Sequence, residues 1–369
     1  VRGRPQCVIS MASGARWLWA LWVLRSAGGL APQRLEARIV AGAVPLAPRA
    51  AADAARELRD VGVVRVDGVV SPDLAAALKA RVLSELSRKT SQWAVDDLQM
   101  VPGTRLRFCE AVEIEFDGGT RSDVLLPLDD ELVRAALTQA ATKLRPALVA
   151  AARACLPGDD ALDDEAALEL IECAALYCHP GADHQALHAD FLRYDDAQLD
   201  AFMDAELGDD AADDDEDDEE EEEEEEGDDE GDGDVDGDLP PRLVTFVFLQ
   251  DCPTAAHGAT VFLPATSNAE AHLQNEFDDE SLLENYGPAR LATVRAGDAV
   301  VYDASVLHFG AANSVQGNDR VVLYFSVARP GAAAAAFATA KMPMPEGLAA
   351  APPVPFATLV NDLNVLLKV

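Results

Sequence analysis

With 369 residues, 49% of them hydrophobic, the chain has length for one large domain or two ordinary ones and enough apolar content to bury a sizeable core. Its net charge of -37 is concentrated: residues 209–238 hold 23 acids, so the remainder carries about -14, a balance that argues against nucleic acid or an anionic membrane as a primary partner. No run of about 18 apolar residues marks a spanning helix, and six scattered cysteines (Cys7, Cys109, Cys155, Cys173, Cys178, Cys252) with no Cys-x-x-Cys make neither a disulfide scaffold nor a zinc site.

The chain opens with five arginines and no acid in residues 1–35, around the apolar run Trp17 to Leu24. This pattern fits a secretory or organelle targeting segment, and equally a disordered, untranslated or misannotated start. The compartment, cytoplasmic or organellar, stays open, and residues 1–45 are read as a leader outside the fold. Ala47 to Asp60 has helical periodicity, and Val61 to Val70 reads as a strand. Ser71 then caps a helix with Pro72 at its first position, running to about Arg88, with Leu74, Leu78, Val82 and Leu86 forming one apolar stripe. Residues 93–126 alternate weakly (Leu106, Phe108, then Val112, Ile114, Phe116), which predicts strands joined at Asp117-Gly118-Gly119. Leu128 to Leu156 is a second helical stretch, with Pro146 as a point of kinking.

A β-rich half follows. Strands are expected at Leu168 to Cys178, at residues 186–192 after the Pro180-Gly181 turn, and at Arg242 to Gln250. Shorter ones follow at Ala259 to Leu263, Leu291 to Val294, Asp298 to Tyr302, Ser305 to Phe309 and Val321 to Ala328. Short strands punctuated by Gly, Pro and Asn predict a sandwich or jelly roll rather than βα units. The fold class is therefore mainly β with flanking helices. Residues 209–238 have too little apolar content for a core and read as a disordered acidic insert, either a tolerated surface loop or an arm for a basic protein partner. Residues 331–369 form an Ala/Pro-rich tail, with a short closing helix expected at Thr358 to Leu367.

Chemistry concentrates in Leu187-His188-Ala189-Asp190 and, 118 residues beyond Asp190, in His308 of Leu307-His308-Phe309-Gly310-Ala311-Ala312-Asn313. On an extended strand the two ends of His-x-Asp point to one side. A third ligand from a distant strand completes a 2-His-1-carboxylate face suited to non-haem Fe(II). A His-x-Asp pair alone is weak evidence, since structural histidines are common. Its weight comes from order: a buried strand and turn before it, Gly297-Asp298 and a strand before His308, and Arg320 twelve residues after. A dianionic 2-oxoacid needs a cation at its far carboxylate, and Arg320 offers one; the alternative is a strand-start salt bridge. His184 lies four residues before His188 but in an extended segment, unlike a helical zinc pair. His179, His257 and His272 read as loop residues, Asp298 as a turn residue, and Asn313 as a turn former or pocket hydrogen-bonder.

These blocks resemble the Fe(II)/2-oxoglutarate-dependent dioxygenases, and within them the phytanoyl-CoA-dioxygenase-like branch. The matching pieces occur in order over roughly residues 50–330: LRDVGVVRVDGVVSPDLAAAL, LHAD, GATVFLPATS, GDAVVYDASVLHFGAAN and Arg320. Leu187 departs from the tryptophan-like residue usual before the metal histidine. The resemblance implies a double-stranded β-helix (jelly-roll, cupin-like) core within residues 46–330, with Fe(II) on His188, Asp190 and His308. It further implies 2-oxoglutarate anchored by Arg320, consumption of O2, and hydroxylation of a small-molecule or acyl substrate as the oxoacid becomes succinate and CO2. Prolyl-4-hydroxylase-like enzymes, which modify a protein side chain, share the layout. Under that reading Tyr177 and Thr260 become cosubstrate contacts. The competing class is a non-catalytic interaction protein whose acidic insert recruits a basic partner from a cupin-like scaffold.

Overall fold

The computed structural model describes residues 33–96, 106–107, 121–126, 130–156, 168–194, 197–199, 201–202, 241–277, 279–329 and 354–355. The acidic insert, most of the C-terminal tail, the first 32 residues and the strand expected around Ile114 lie outside these. The helices are α1 (Gln33–Gly42), α2 (Ala51–Val61), α3 (Pro72–Asp96), α4 (Glu131–Cys155), α5 (Ala269–Phe277) and α6 (Asp279–Asn285). The early strands are β1 (Val44–Pro45), β2 (Val63–Val66), β3 (Leu106–Arg107), β4 (Arg121–Leu125) and β5 (Glu169–Cys178). The later ones are β6 (Arg242–Phe248), β7 (Thr260–Phe262), β8 (Arg290–Leu291), β9 (Ala299–Asp303), β10 (His308–Gly310), β11 (Arg320–Ala328) and β12 (Val354–Pro355).

Helix starts follow their capping chemistry. The Ser71 hydroxyl accepts from the Leu74 N–H at 3.4 Å ahead of Pro72, and Asp130 accepts from Leu132 and Val133 at the head of α4. Helix α4 continues through Pro146, which costs it one backbone donor. Helix α2 ends on Gly62 at φ 83°, where an added Cβ would stand 2.3 Å from Val306 Cγ2. Only glycine fits both the left-handed backbone and the close approach of the Val306 loop.

The strands form an eight-stranded sheet with the central order β2-β9-β6-β11-β5-β4-β3, β12 pairing on β5, and a four-stranded sheet ordered β1-β8-β7-β10. Period-two alternation divides the large sheet's side chains. Val247 of β6, Val301 of β9 and Leu323 and Phe325 of β11 face one way and pack with Leu58, Leu78, Leu137, Leu144 and Leu148 of the helices. Val244, Phe246 and Phe248, with Val300, Tyr302 and Val322, face the other way and pack against Val261, Phe262, Leu291 and Phe309 of the small sheet. The fold is thus mainly β with flanking helices, a jelly-roll sandwich whose two sheets do not close into a barrel among the described residues. The fully buried run of β6 reflects this double covering.

Four local expectations change. The Val61 to Val70 strand shortens to β2, because the chain turns at Gly68 (φ 59°), whose N–H bonds to the Asp298 carboxylate. The stretch between 264 and 290, unassigned from sequence, forms α5 and α6. Residues 33–45 pack on the core rather than outside it: α1 buries Leu35 and Ile39, and the buried Glu36 carboxylate accepts from the Leu187 N–H at 3.3 Å. The His-x-Asp segment is extended but carries only one isolated bridge, so it is not a strand.

Candidate metal and cosubstrate site

The site is assembled by backbone pairing. His188 and His308 face each other as a bridge and exchange both backbone bonds, His188 N–H to His308 O at 3.0 Å and the reverse at 2.7 Å. Directly opposed residues on adjacent strands carry their side chains to the same face, and the two imidazole centroids lie 4.6 Å apart. Two residues on, the Asp190 N–H bonds to Ala304 O at 2.9 Å, which brings its carboxylate to the same side. Asp190 Oδ1 then lies 3.9 Å from His188 Nε2 and 3.7 Å from His308 Nε2. One ligand atom from each of the three falls within 4.8 Å of the others, the spacing a single ion requires.

The hydrogen-bond pattern prepares these atoms for a cation. Each imidazole Nδ1 meets the carbonyl two residues back, Ala186 at 2.7 Å and Val306 at 2.9 Å. A carbonyl only accepts, so Nδ1 carries the proton and Nε2 turns its lone pair inward. Burial, partly opposed by the Asp190 charge, lowers the His308 pKa to about 4, so the ring is neutral near pH 7. Asp190 Oδ2 accepts from the Tyr302 hydroxyl at 2.8 Å, leaving Oδ1 facing the imidazoles. Burial alone would raise the Asp190 pKa; His308, His188, Arg242 and the Tyr302 bond outweigh it and hold the carboxyl below its usual range. Phe262 stacks on His308 at 5.7 Å and 22°, shielding that ligand from solvent.

These ligands line a cavity of about 130 Å³, roughly ten times the space one water needs. Arg320, 1% exposed, lines the same cavity from the start of β11. Its Nη2 donates to Thr260 Oγ1 at 2.9 Å, its guanidinium lies 5.8 Å over the Phe248 ring, and its buried Nε meets no acceptor. Burial pulls its pKa below the ordinary arginine value, yet arginine stays charged at neutral pH.

Of the seven sequence-derived site residues, His188, Asp190, His308, Thr260 and Arg320 come together here. Tyr177 and Asn313 do not. Tyr177 has the opposite strand parity to the cavity-lining Leu176, so it joins the helix-side core, and its hydroxyl donates to Asp319 at 2.7 Å. The Asn313 amide nitrogen donates to the carbonyls of Cys178, His179 and Asn318, tying loops together rather than facing the cavity. The lining residues not singled out from sequence include Tyr302, Arg242 and Gln185, the last accepting from the Gly310 N–H at 2.9 Å. Tyr302 and Arg242 share parity with the inward-facing residues of their strands, the signal by which they could have been found. Asp298 is a buried turn residue, paired with Arg65 at 3.0 Å.

His272, read from sequence as a loop residue, lies on α5 behind the turn that presents His308. Its Nε2 donates to Ser305 O at 2.7 Å while Nδ1 accepts from the Arg193 N–H at 3.0 Å. Burial, the largest cause, holds its pKa below 6.5 although the Ser305 bond pulls the other way. As pH falls through about 6.5 the unfolded chain takes up a proton that the folded ring resists, so folding stability falls on acidification. Thermal melts of the metal-free protein should therefore show a Tm that drops between about pH 7 and pH 5, and His272→Gln should flatten that slope while lowering the Tm at pH 7.

The sequence matches no protein-family model and no curated protein. Solved structures of similar shape include the epimerase SnoN in complex with Fe3+, alpha ketoglutarate and nogalamycin RO, with 16% identity, coverage of 76% of this chain and 83% of that one, and a TM-score of 0.42. HygX from Streptomyces hygroscopicus with nickel and 2-oxoglutarate bound has 14% identity, 75% and 86% coverage, and a TM-score of 0.41. AviO1 from Streptomyces viridochromogenes Tue57 has 18% identity, 77% and 97% coverage, and a TM-score of 0.42.

Proposed function

We propose that the chain is an Fe(II)- and 2-oxoglutarate-dependent dioxygenase that hydroxylates an organic substrate while 2-oxoglutarate becomes succinate and CO2. One observation carries this reading: a single cavity joins two imidazole nitrogens and a carboxylate oxygen, all within 4.8 Å of one another, to a buried guanidinium with an unused donor. The donor set fits a ferrous ion, which two neutral imidazoles and one carboxylate bind with sites to spare. His188, Asp190 and His308 would hold that ion, and Arg320 with Thr260 would hold the far carboxylate of the oxoacid. When bound, the ion supplies activation of O2 coupled to oxidation of the oxoacid.

The chain's own residues do the preparatory work. The Ala186 and Val306 carbonyls fix both imidazole tautomers, and the Tyr302 hydroxyl orients Asp190. Phe262 shields His308 from water. Arg320, buried in advance, spends little on ordering when an oxoacid arrives. Within the superfamily, the ordered blocks from LRDVGVVRVDGVV to Arg320 support the phytanoyl-CoA-dioxygenase-like branch, with a small-molecule or acyl substrate. The test is succinate release from 2-oxoglutarate by the full chain with Fe(II) in air. Slow uncoupled succinate formation, abolished by a chelator, is expected. No succinate above the enzyme-free rate, with any tested substrate, would refute the assignment.

A further inference from the structure

A second buried arginine lines the cavity and, beyond its charge favouring the ionised Asp190, takes no part in the chemistry above. Arg242 is 5% exposed; its Nη2 donates to the Asp190 carbonyl at 3.2 Å, and its Nε and Nη1 are buried and meet no acceptor. Leaving charged donors unpaired away from water is costly. Two further observations point to a ligand.

The first is position. Strand β11 pairs antiparallel with β6, Val322 opposite Phe248, so Arg320 stands at the Gln250 end of β6 and Arg242 at the other. Eight residues at about 3.3 Å each separate those levels by roughly 26 Å along the strand. The two side chains therefore enter the one cavity from opposite ends of β6, Arg320 beside Thr260 and Arg242 beside the Asp190 carbonyl. The second is charge. With a divalent ion and a dianionic oxoacid in place, Asp190 and Arg320 bring the sum to zero, and Arg242 is one positive charge in surplus. The only other carboxylate lining would have to be a ligand's, since Asp190 is the sole acid on the cavity wall among the described residues. In a chain of net charge -37, this local inversion of sign is a selective feature.

We infer that Arg242 is the recognition residue for a monoanionic substrate, a small carboxylic acid whose head group binds beside Asp190 while the oxoacid occupies the Arg320 end. This inference rests on the oxygenase reading of the cavity. It is tested by anaerobic calorimetric titration of hexanoate into the full chain loaded with Fe(II) and saturating 2-oxoglutarate, with the visible chelate band recorded in parallel. Hexanoate should bind the wild type, and hexanamide should not. Arg242→Gln should weaken hexanoate at least tenfold, Arg242→Lys less, and 2-oxoglutarate affinity should change under threefold in both. Equal hexanoate binding by wild type and Arg242→Gln, no hexanoate binding at all, or inorganic phosphate binding in its place would overturn the carboxylate subsite. A tenfold loss of 2-oxoglutarate affinity in Arg242→Gln would make the arginine a cosubstrate anchor instead, and a band altered before hexanoate is added would make it a positioning residue for Asp190. Absence of the band in the wild type would count against the oxygenase reading itself, while the hexanoate titration would still decide the subsite.

Discussion

Asp190→Ala and His308→Ala are each expected to lose stoichiometric Fe(II) binding, with affinity lowered by at least about 100-fold in calorimetric or competition titrations. Each removes one of the three protein donors, and among the described residues the cavity wall holds no further acidic, histidine or cysteine side chain to replace it. Tyr302→Phe provides the graded case. It deletes the 2.8 Å bond that turns Asp190 Oδ1 toward the imidazoles, and loss of such an outer-shell partner weakens metal binding by about 10- to 100-fold. The metal-free proteins should behave differently. Asp190→Ala keeps the backbone bond from residue 190 to Ala304, so its fold should persist, which separates loss of ligand from loss of structure. Wild-type affinity in Asp190→Ala would mean that the ion sits elsewhere.

Arg320→Gln is expected to weaken 2-oxoglutarate by about 100- to 1000-fold, because a desolvated charged hydrogen-bonded partner is worth roughly 2–5 kcal/mol. The metal site should be spared, since Arg320 contacts Thr260 and Phe248 rather than any metal donor. Stability supplies an independent reading. A fully buried cation with an unpartnered Nε burdens the ligand-free fold, so an uncharged replacement of similar volume such as Arg320→Met should keep or raise the Tm without ligand. The same variant should abolish the Tm increase that saturating 2-oxoglutarate gives the wild type. A purely structural salt-bridge role for Arg320 predicts the reverse: a lower Tm and unchanged oxoacid affinity.

How far the sequence alone reaches is clearest at the cavity. His188, Asp190, His308 and Arg320 were legible because their side chains are chemically distinctive and fall in ordered blocks between strands. Arg242 and Tyr302 were not, because each sits within a run read only as buried strand; that they face the cavity follows from parity, which becomes usable once the neighbours' facing direction is known. The same parity sends Tyr177 to the opposite face from Leu176, and Asn313 serves the loops around it. Helix α1 was obscured by the arginine-rich leader before it. Helix α5 was obscured because it buries polar side chains, His272 and Asn275, which blurs an apolar stripe, although Asn268 capping the Ala271 N–H at 2.9 Å marks its start. The jelly-roll class itself was legible in the density of short strands.

The most direct test of the account is an anaerobic titration of 2-oxoglutarate into the Fe(II)-loaded full chain, followed by visible absorption. One equivalent should produce the weak charge-transfer band of an oxoacid chelated to ferrous iron, absent in His188→Ala and requiring far more oxoacid in Arg320→Gln. A wild-type protein that binds Fe(II) yet develops no such band at any oxoacid concentration would contradict it.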